Sequence, residues 1–160
     1  MFYRIIGLLL LFSTGLSAVT PVATSKLVFR SLDYIATAQS MKTLDDFFGQ
    51  CAFAKRHHPG GWDYVEDTRH KHPLYKTVII NLTKYDFTSV VLTIRPELTV
   101  TYADVIAHYG KLFRTLPMKP DNFHDQMIAY KPKGKSQIVF TFNGPDQHSL
   151  LTEILIMRSN

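Results

Sequence analysis

The sequence predicts an α+β protein made of two tandem α-β-β-β units, forming an antiparallel sheet with helices packed on one face. Three observations predict it. Helical patterns are few, and the two clearest end at Gly49 and Gly110. After each glycine the chain turns to short runs rich in Val, Ile, Thr and Phe, divided by breakers. The two successions also keep nearly the same spacing, the signature of an internal repeat.

The first helix is expected to start at Ser40, a good capping residue, with Leu44, Phe47 and Phe48 on its apolar side. Residues 31–39 either extend that helix or form a separate short one. Strands are expected at 52–55, 76–82 and 89–95. The second helix is the clearest element. Thr101 can cap it, and Asp104 follows three residues later. Tyr102, Val105, Ile106 and Tyr109 give an apolar stripe before Gly110 stops it. Strands then follow at 124–130, 137–142 and 150–158, with Lys133-Gly134 and Asn143-Gly144-Pro145 as turns. Between halves the helix ends are offset by 110 − 49 = 61, and the last strands by 158 − 95 = 63. The organisation read from this is a leader at 1–18, a first repeat with an N-terminal extension at 19–98, and a second at 99–160.

Residues 1–18 carry the three-part pattern of a cleavable secretory signal. Arg4 supplies the early positive charge, residues 5–12 the apolar run, and Ser17-Ala18 the cleavage site, with cleavage after Ser17 as the alternative. That run is too short to span a bilayer, which takes about 20 apolar residues. The expected product is secreted or periplasmic, with 160 − 18 = 142 residues, enough to bury a core without staples. The single cysteine, Cys51, rules out an intramolecular disulfide and is expected as a small core residue. Losing Arg4 takes the formal charge from +5 to +4. So modest a charge suits steering toward an acidic partner, and is too dispersed for nucleic acid.

The stretch Thr101-Tyr102-Ala103-Asp104-Val105-Ile106-Ala107-His108-Tyr109-Gly110 resembles the helix-opening signature of the BamE/SmpA-like and beta-lactamase-inhibitor-protein-like superfamily. The strands at 138–142 and 151–158 are similar to that superfamily's hairpin. For the beta-lactamase inhibitor proteins, the resemblance implies two units in tandem and one long sheet whose concave face grips a partner. Those inhibitors use disulfides and the envelope lipoproteins an acylated Cys; this chain has the means for neither.

Catalytic signals are sparse. No Gly-x-Ser-x-Gly elbow occurs, and Asp45-Asp46 occupy adjacent helical positions that point apart. No cofactor is expected. His57, His58, His70 and His72 form the one group with metal-ligand chemistry, since His70 and His72 would share a side of an extended strand. Exposed loop histidines explain the same pattern. Asn81-Leu82-Thr83 matches a glycosylation acceptor. The segment from His57 to Tyr64 joins Pro59-Gly60-Gly61 to the only tryptophan, Trp62, which either packs on the core or, if exposed, serves recognition.

The leading expectation is therefore a non-enzymatic, exported protein-binding module of the inhibitor, immunity or envelope assembly type, acting by steric occlusion. Its partner would be another exported or envelope-associated protein, with no nucleic acid and no membrane span. The contact residues expected are Trp62, Tyr64, Arg69 and Tyr75, with Lys131, Lys133 and Lys135 as a steering patch. The alternative is a small secreted metal-binding protein or enzyme using His57, His58, His70 and His72.

Overall fold

The computed structural model of the protein describes residues 21–49, 53–57, 63–67, 72–83, 86–110, 113–115, 126–130 and 136–158. The leader at 1–18 lies outside them. The described elements are helices α1 (Pro21–Ala36), α2 (Met41–Phe47) and α3 (Tyr102–Tyr109), with eight strands. In the first half these are β1 (Phe53–His57), β2 (Asp63–Asp67), β3 (Tyr75–Leu82) and β4 (Phe87–Ile94). In the second they are β5 (Phe113–Thr115), β6 (Gln126–Tyr130), β7 (Gln137–Phe142) and β8 (Leu151–Met157).

The fold class is α+β, with one antiparallel sheet and the helices on one side. The strand order is β1-β2-β3-β4-β8-β7-β6-β5. Each half is thus a four-stranded meander, where the sequence suggested three strands. The additions are β2 and β5. The meanders meet at β4 and β8, where Val90 pairs with Ile156, Val91 with Leu155 and Leu92 with Ile154. Ile80 stands opposite Val90 in the first and Phe140 opposite Ile154 in the second.

Alternation along the strands sends one set of side chains under the helices. Val78, Leu92, Ile154, Phe140 and Ile128 lie directly opposite one another across five strands and are all at most 1% exposed. Helix α1 covers this layer with Val28, Leu32 and Ile35, spaced to fall on one face. Each such side chain, once fully buried, contributes about 1.5–3 kcal/mol. The sequence reading placed helix only from residue 31. The observed helix starts at Pro21, where a proline suits the first turn because its missing N–H has no partner there anyway.

The other two helices start where expected. Ser40 caps α2, its hydroxyl accepting from the Thr43 N–H. Thr101 and Asp104 form a reciprocal capping box on α3: Thr101 Oγ1 accepts from the Asp104 N–H, and Asp104 Oδ2 accepts from the Thr101 N–H at 2.9 Å. The next two N–H groups of α3 donate to the carbonyls of Ser149 and Gln147, tying the helix to the turn before β8. Gly110 ends the helix at φ 81 and ψ −166, a conformation that side-chain-bearing residues avoid. On its inner face Tyr102 meets Phe142 edge-on, and Tyr109 packs on Phe140 and Tyr130.

A polar clasp closes the end of β8. Arg158 donates to Asp86 Oδ2 at 2.6 Å and to the Gln39 carbonyl at 2.9 Å, and its guanidinium lies over the Phe87 ring. Its backbone N–H bonds the Thr88 carbonyl. One side chain therefore links β8, the start of β4 and the α1–α2 connection.

Two outcomes follow from this packing. Leu92→Ala should cost about 2–5 kcal/mol of stability, while Val91→Ala, on the other face, should cost about 1 kcal/mol or less. Urea denaturation of the two variants measures the contrast. The Arg158 guanidinium holds the Asp86 carboxyl below its usual range. A lowered folded-state pKa gives stability that is whole above the unfolded value, near ~3.9, and is lost as pH falls through the folded value. Asp86→Asn should therefore weaken the protein at neutral pH, by an amount that shrinks on acidification below about pH 4. Urea midpoints through the acid range give the readout.

Candidate binding face of the sheet

Four strands carry apolar triplets rather than a polar and apolar alternation: Val78-Ile79-Ile80, Val90-Val91-Leu92, Ile138-Val139-Phe140 and Ile154-Leu155-Ile156. The outer members of each triplet point under the helices. The middle members must point the other way. An antiparallel sheet with one wet face normally places polar residues there. Here the register sets the middle members side by side. Ile79 is opposite Val91, Val91 opposite Leu155 and Leu155 opposite Val139, with Ala129 of β6 opposite Val139.

This five-strand apolar row crosses the face that no described helix covers. Ile79, Val91 and Leu155 are half-buried within it. Val139 and Ala129 are 2% and 5% exposed, yet both lie outside the core cluster beneath the helices. Flanking register rows mix polar, aromatic and sulfur-bearing side chains. Tyr64, Asn81, Ser89, Met157 and Gln137 run along one side, with Arg56 beyond Tyr64. Thr77, Thr93, Glu153, Thr141 and Met127 run along the other. An apolar centre with a mixed polar rim is the anatomy of a protein-binding patch, in which Tyr, Met and Arg are enriched.

Of the contact residues expected from the sequence, Tyr64 belongs to this face and is half-buried. It sits on strand β2, not in a loop. Trp62, Arg69, Lys131, Lys133 and Lys135 lie outside the described residues.

Tyr75 is not a surface residue: it is 0% exposed. A register irregularity between Tyr75 and Thr77 is the reason. Simple alternation would place Tyr75 on the face of Thr77 and Ile79, and the bulge turns it into the core. There its hydroxyl pairs with that of Ser31 on α1, and its ring stacks on His72 at 4.9 Å. Burial pushes the phenol well above its ordinary pKa, against the opposing effect of the Ser31 hydrogen bond.

The histidines divide. His72 is 7% exposed, its Nδ1 accepts from the Leu74 N–H, and its ring lies among Phe47, Phe48 and Tyr75. It is a core residue, not the loop residue expected. His57 is exposed at the end of β1, and His58 and His70 lie outside the described residues, as does Cys51. Among the described residues no group of three or more His, Cys, Asp or Glu is placed to hold a metal ion. Asp46 pairs with Lys42 at 2.8 Å on the exposed side of α2. Asn81, in the acceptor triplet, donates from Nδ2 to Ser89 Oγ at 2.8 Å within the β3–β4 ladder.

A second polar contact joins α1 to α3. Asp33 receives Tyr109 OH at 3.3 Å and lies 3.4 Å from His108 Nε2, while Phe29 stacks on the His108 ring at 4.5 Å. Burial, then the Asp33 charge, raises the Tyr109 phenol well above its ordinary range. The contact holds two helices together on the side opposite the candidate face.

Set against known proteins, the chain matches no family model, no curated protein and no solved structure.

The two expected anchor tyrosines should behave oppositely. Tyr75→Ala should cost about 3–5 kcal/mol, as for other large buried rings, and Tyr64→Ala about 1 kcal/mol or less. Thermal and urea unfolding of both variants check the assignment.

Proposed function

We propose that this chain is an exported, non-enzymatic protein-binding module that acts by laying the sheet face that no described helix covers on a partner protein. The observation that carries the proposal is the apolar row, which is accessible at Ile79, Val91 and Leu155 and continues into the buried Val139 and Ala129. Large apolar patches on an otherwise polar surface mark interaction sites. The strands hold this one in fixed geometry, so little ordering entropy opposes docking. Tyr64 supplies an aromatic anchor beside the row, with Trp62 and Arg69 close to it in sequence.

The mechanism is steric occlusion. The partner's surface is covered over the width of several strands, and the net positive charge of the chain speeds encounter with an acidic partner. Export rests on the leader pattern at 1–18. A tandem, beta-lactamase-inhibitor-like origin is supported by the strand order, which runs from edge to centre in each half. Partner classes consistent with this reading are secreted or envelope proteins of the inhibitor-target, immunity or assembly type.

A photo-crosslinking residue at Tyr64, on the sheet face, should give a discrete adduct in envelope or secreted extracts. The same probe at Tyr34, which is 45% exposed on the helix side, should give none. Val91→Lys should abolish the Tyr64 adduct while leaving the melting temperature little changed. An adduct from Tyr34 alone, or from neither position, overturns the reading.

A further inference from the structure

On the face that no described helix covers, β3, β4 and β8 set nine side chains in a three-by-three grid. The middle row is Ile79, Val91 and Leu155. Thr77, Thr93 and Glu153 form the row on one side, and Asn81, Ser89 and Met157 the row on the other. Eight of the nine are half-buried and Glu153 is exposed. Glu153 is also the single charged residue of the grid. Val139 of β7, the next position along the middle row, is 2% exposed and bounds the patch.

Such a grid is its own complement. A two-fold axis through Val91, running along β4, exchanges the β3 and β8 columns and keeps each row on itself. Face to face with a second copy, Val91 meets Val91, and Ile79 meets Leu155 of the second copy. Ser89 and Thr93 lie on the axis, and their hydroxyls can donate or accept, so each can meet its own equivalent. Each Glu153 meets Thr77 of the second copy, whose hydroxyl can donate to the carboxylate. The two Glu153 side chains stand on opposite sides of the axis. Asn81 meets Met157 of the second copy, with its Nδ2 already bonded to Ser89 Oγ at 2.8 Å. The other two-fold, along the middle row, would set Glu153 on Met157 and leave the carboxylate without a donor.

The usual strand spacing and rise give the grid, with its rims on β2 and β7, an extent of about 20 Å by 25 Å, or about 1,000 Å² for two faces. Specific, stable interfaces bury about 1,200–2,000 Å² and transient ones less. We infer that a second copy of this chain occupies the face, as a reversible dimer whose aligned sheets pack across the two-fold axis through Val91. This goes beyond the binding reading and uses the same face, so a partner protein and the second copy exclude each other. The accessible part of the apolar row is thereby withdrawn from water until a partner competes for it.

Sedimentation velocity of the mature protein, from about 1 μM to about 1 mM, covers the affinities of transient pairs. A concentration-dependent passage from monomer to dimer is expected. Ile79→Lys and Leu155→Glu should each weaken association by about tenfold or more, because each sets an unpaired charge on an apolar side chain. Mixed in equal amounts, these two variants should associate again, since the introduced charges oppose each other across the axis. Thr77→Glu, at the rim, brings two carboxylates face to face and should weaken association as well. Tyr34→Glu, on the helix side, should leave it unchanged. A chain that stays monomeric, a dimer weakened by Tyr34→Glu alone or by none of the variants, or a failure to associate on mixing overturns the inference. The Tyr64 probe separates the two readings. A monomeric chain that still yields an adduct in extracts overturns the second copy alone. A dimer that yields no adduct except with itself overturns binding to another protein and supports the second copy.

Discussion

The pairing of β4 with β8 is the constraint on which the rest of the structure depends. It joins two four-stranded meanders into one sheet and sets which residues face the helices. Strand periodicity is two, so a slip of one residue here would exchange Val91 and Leu155 with their buried neighbours. Ordinary sheets resist such a slip because polar residues would be buried. In these central strands the middle of each face is apolar, and the polar signal is confined to Ser89, Thr93 and Glu153 nearer the strand ends. Register must be fixed from the ends. The Arg158 clasp to Asp86 and Gln39 fixes one end, and the Leu151 N–H bond to the Val100 carbonyl fixes the other.

The helices are held by a different balance. Helix α2 has seven residues, too few to persist alone, and depends on its Ser40 cap and on Leu44 and Phe48 in the core. Helix α3 has a stronger local code in its capping box and Gly110. Helix α1 has neither acidic residues in its first turn nor basic residues in its last, so its stability comes from burying Val28, Leu32 and Ile35. The aromatic group of His72, Tyr75, Phe47 and Phe48 then joins α1 and α2 to the first meander.

Much of this was legible in the sequence where the signal is local. The caps at Ser40 and Thr101, the stop at Gly110 and the strands β1, β3, β4, β6, β7 and β8 follow from turn chemistry and β-branched runs. Strand β2 was not legible, because Asp63-Tyr64-Val65-Glu66-Asp67 has weak strand propensity and owes its conformation to pairing on both sides. The start of α1 was missed because its apolar spacing is diluted by Thr24, Ser25 and Lys26. Tyr75, expected as a surface contact just before a strand, is turned into the core by a single bulge that leaves no mark in the sequence. The candidate face did leave a signal. A triplet such as Ile154-Leu155-Ile156 is apolar on both sides of its strand, and four such triplets in one chain imply that a second face avoids water. The sequence implies a gripping sheet face but points to contact residues around Trp62, because a single triplet reads equally well as core.

The strand order also governs when the fold can be completed. The centre of the sheet is made by residues about 64 positions apart, such as Val91 and Leu155, and it depends on β8, which pairs with both halves. Until β8 pairs, β4 and β7 both present an open edge with apolar side chains on each face. Contacts of such long sequence separation form slowly, and exposed edges of this kind favour aggregation. Two adhesive half-sheets therefore persist for as long as β8 is unpaired, and that single strand converts them into one closed core.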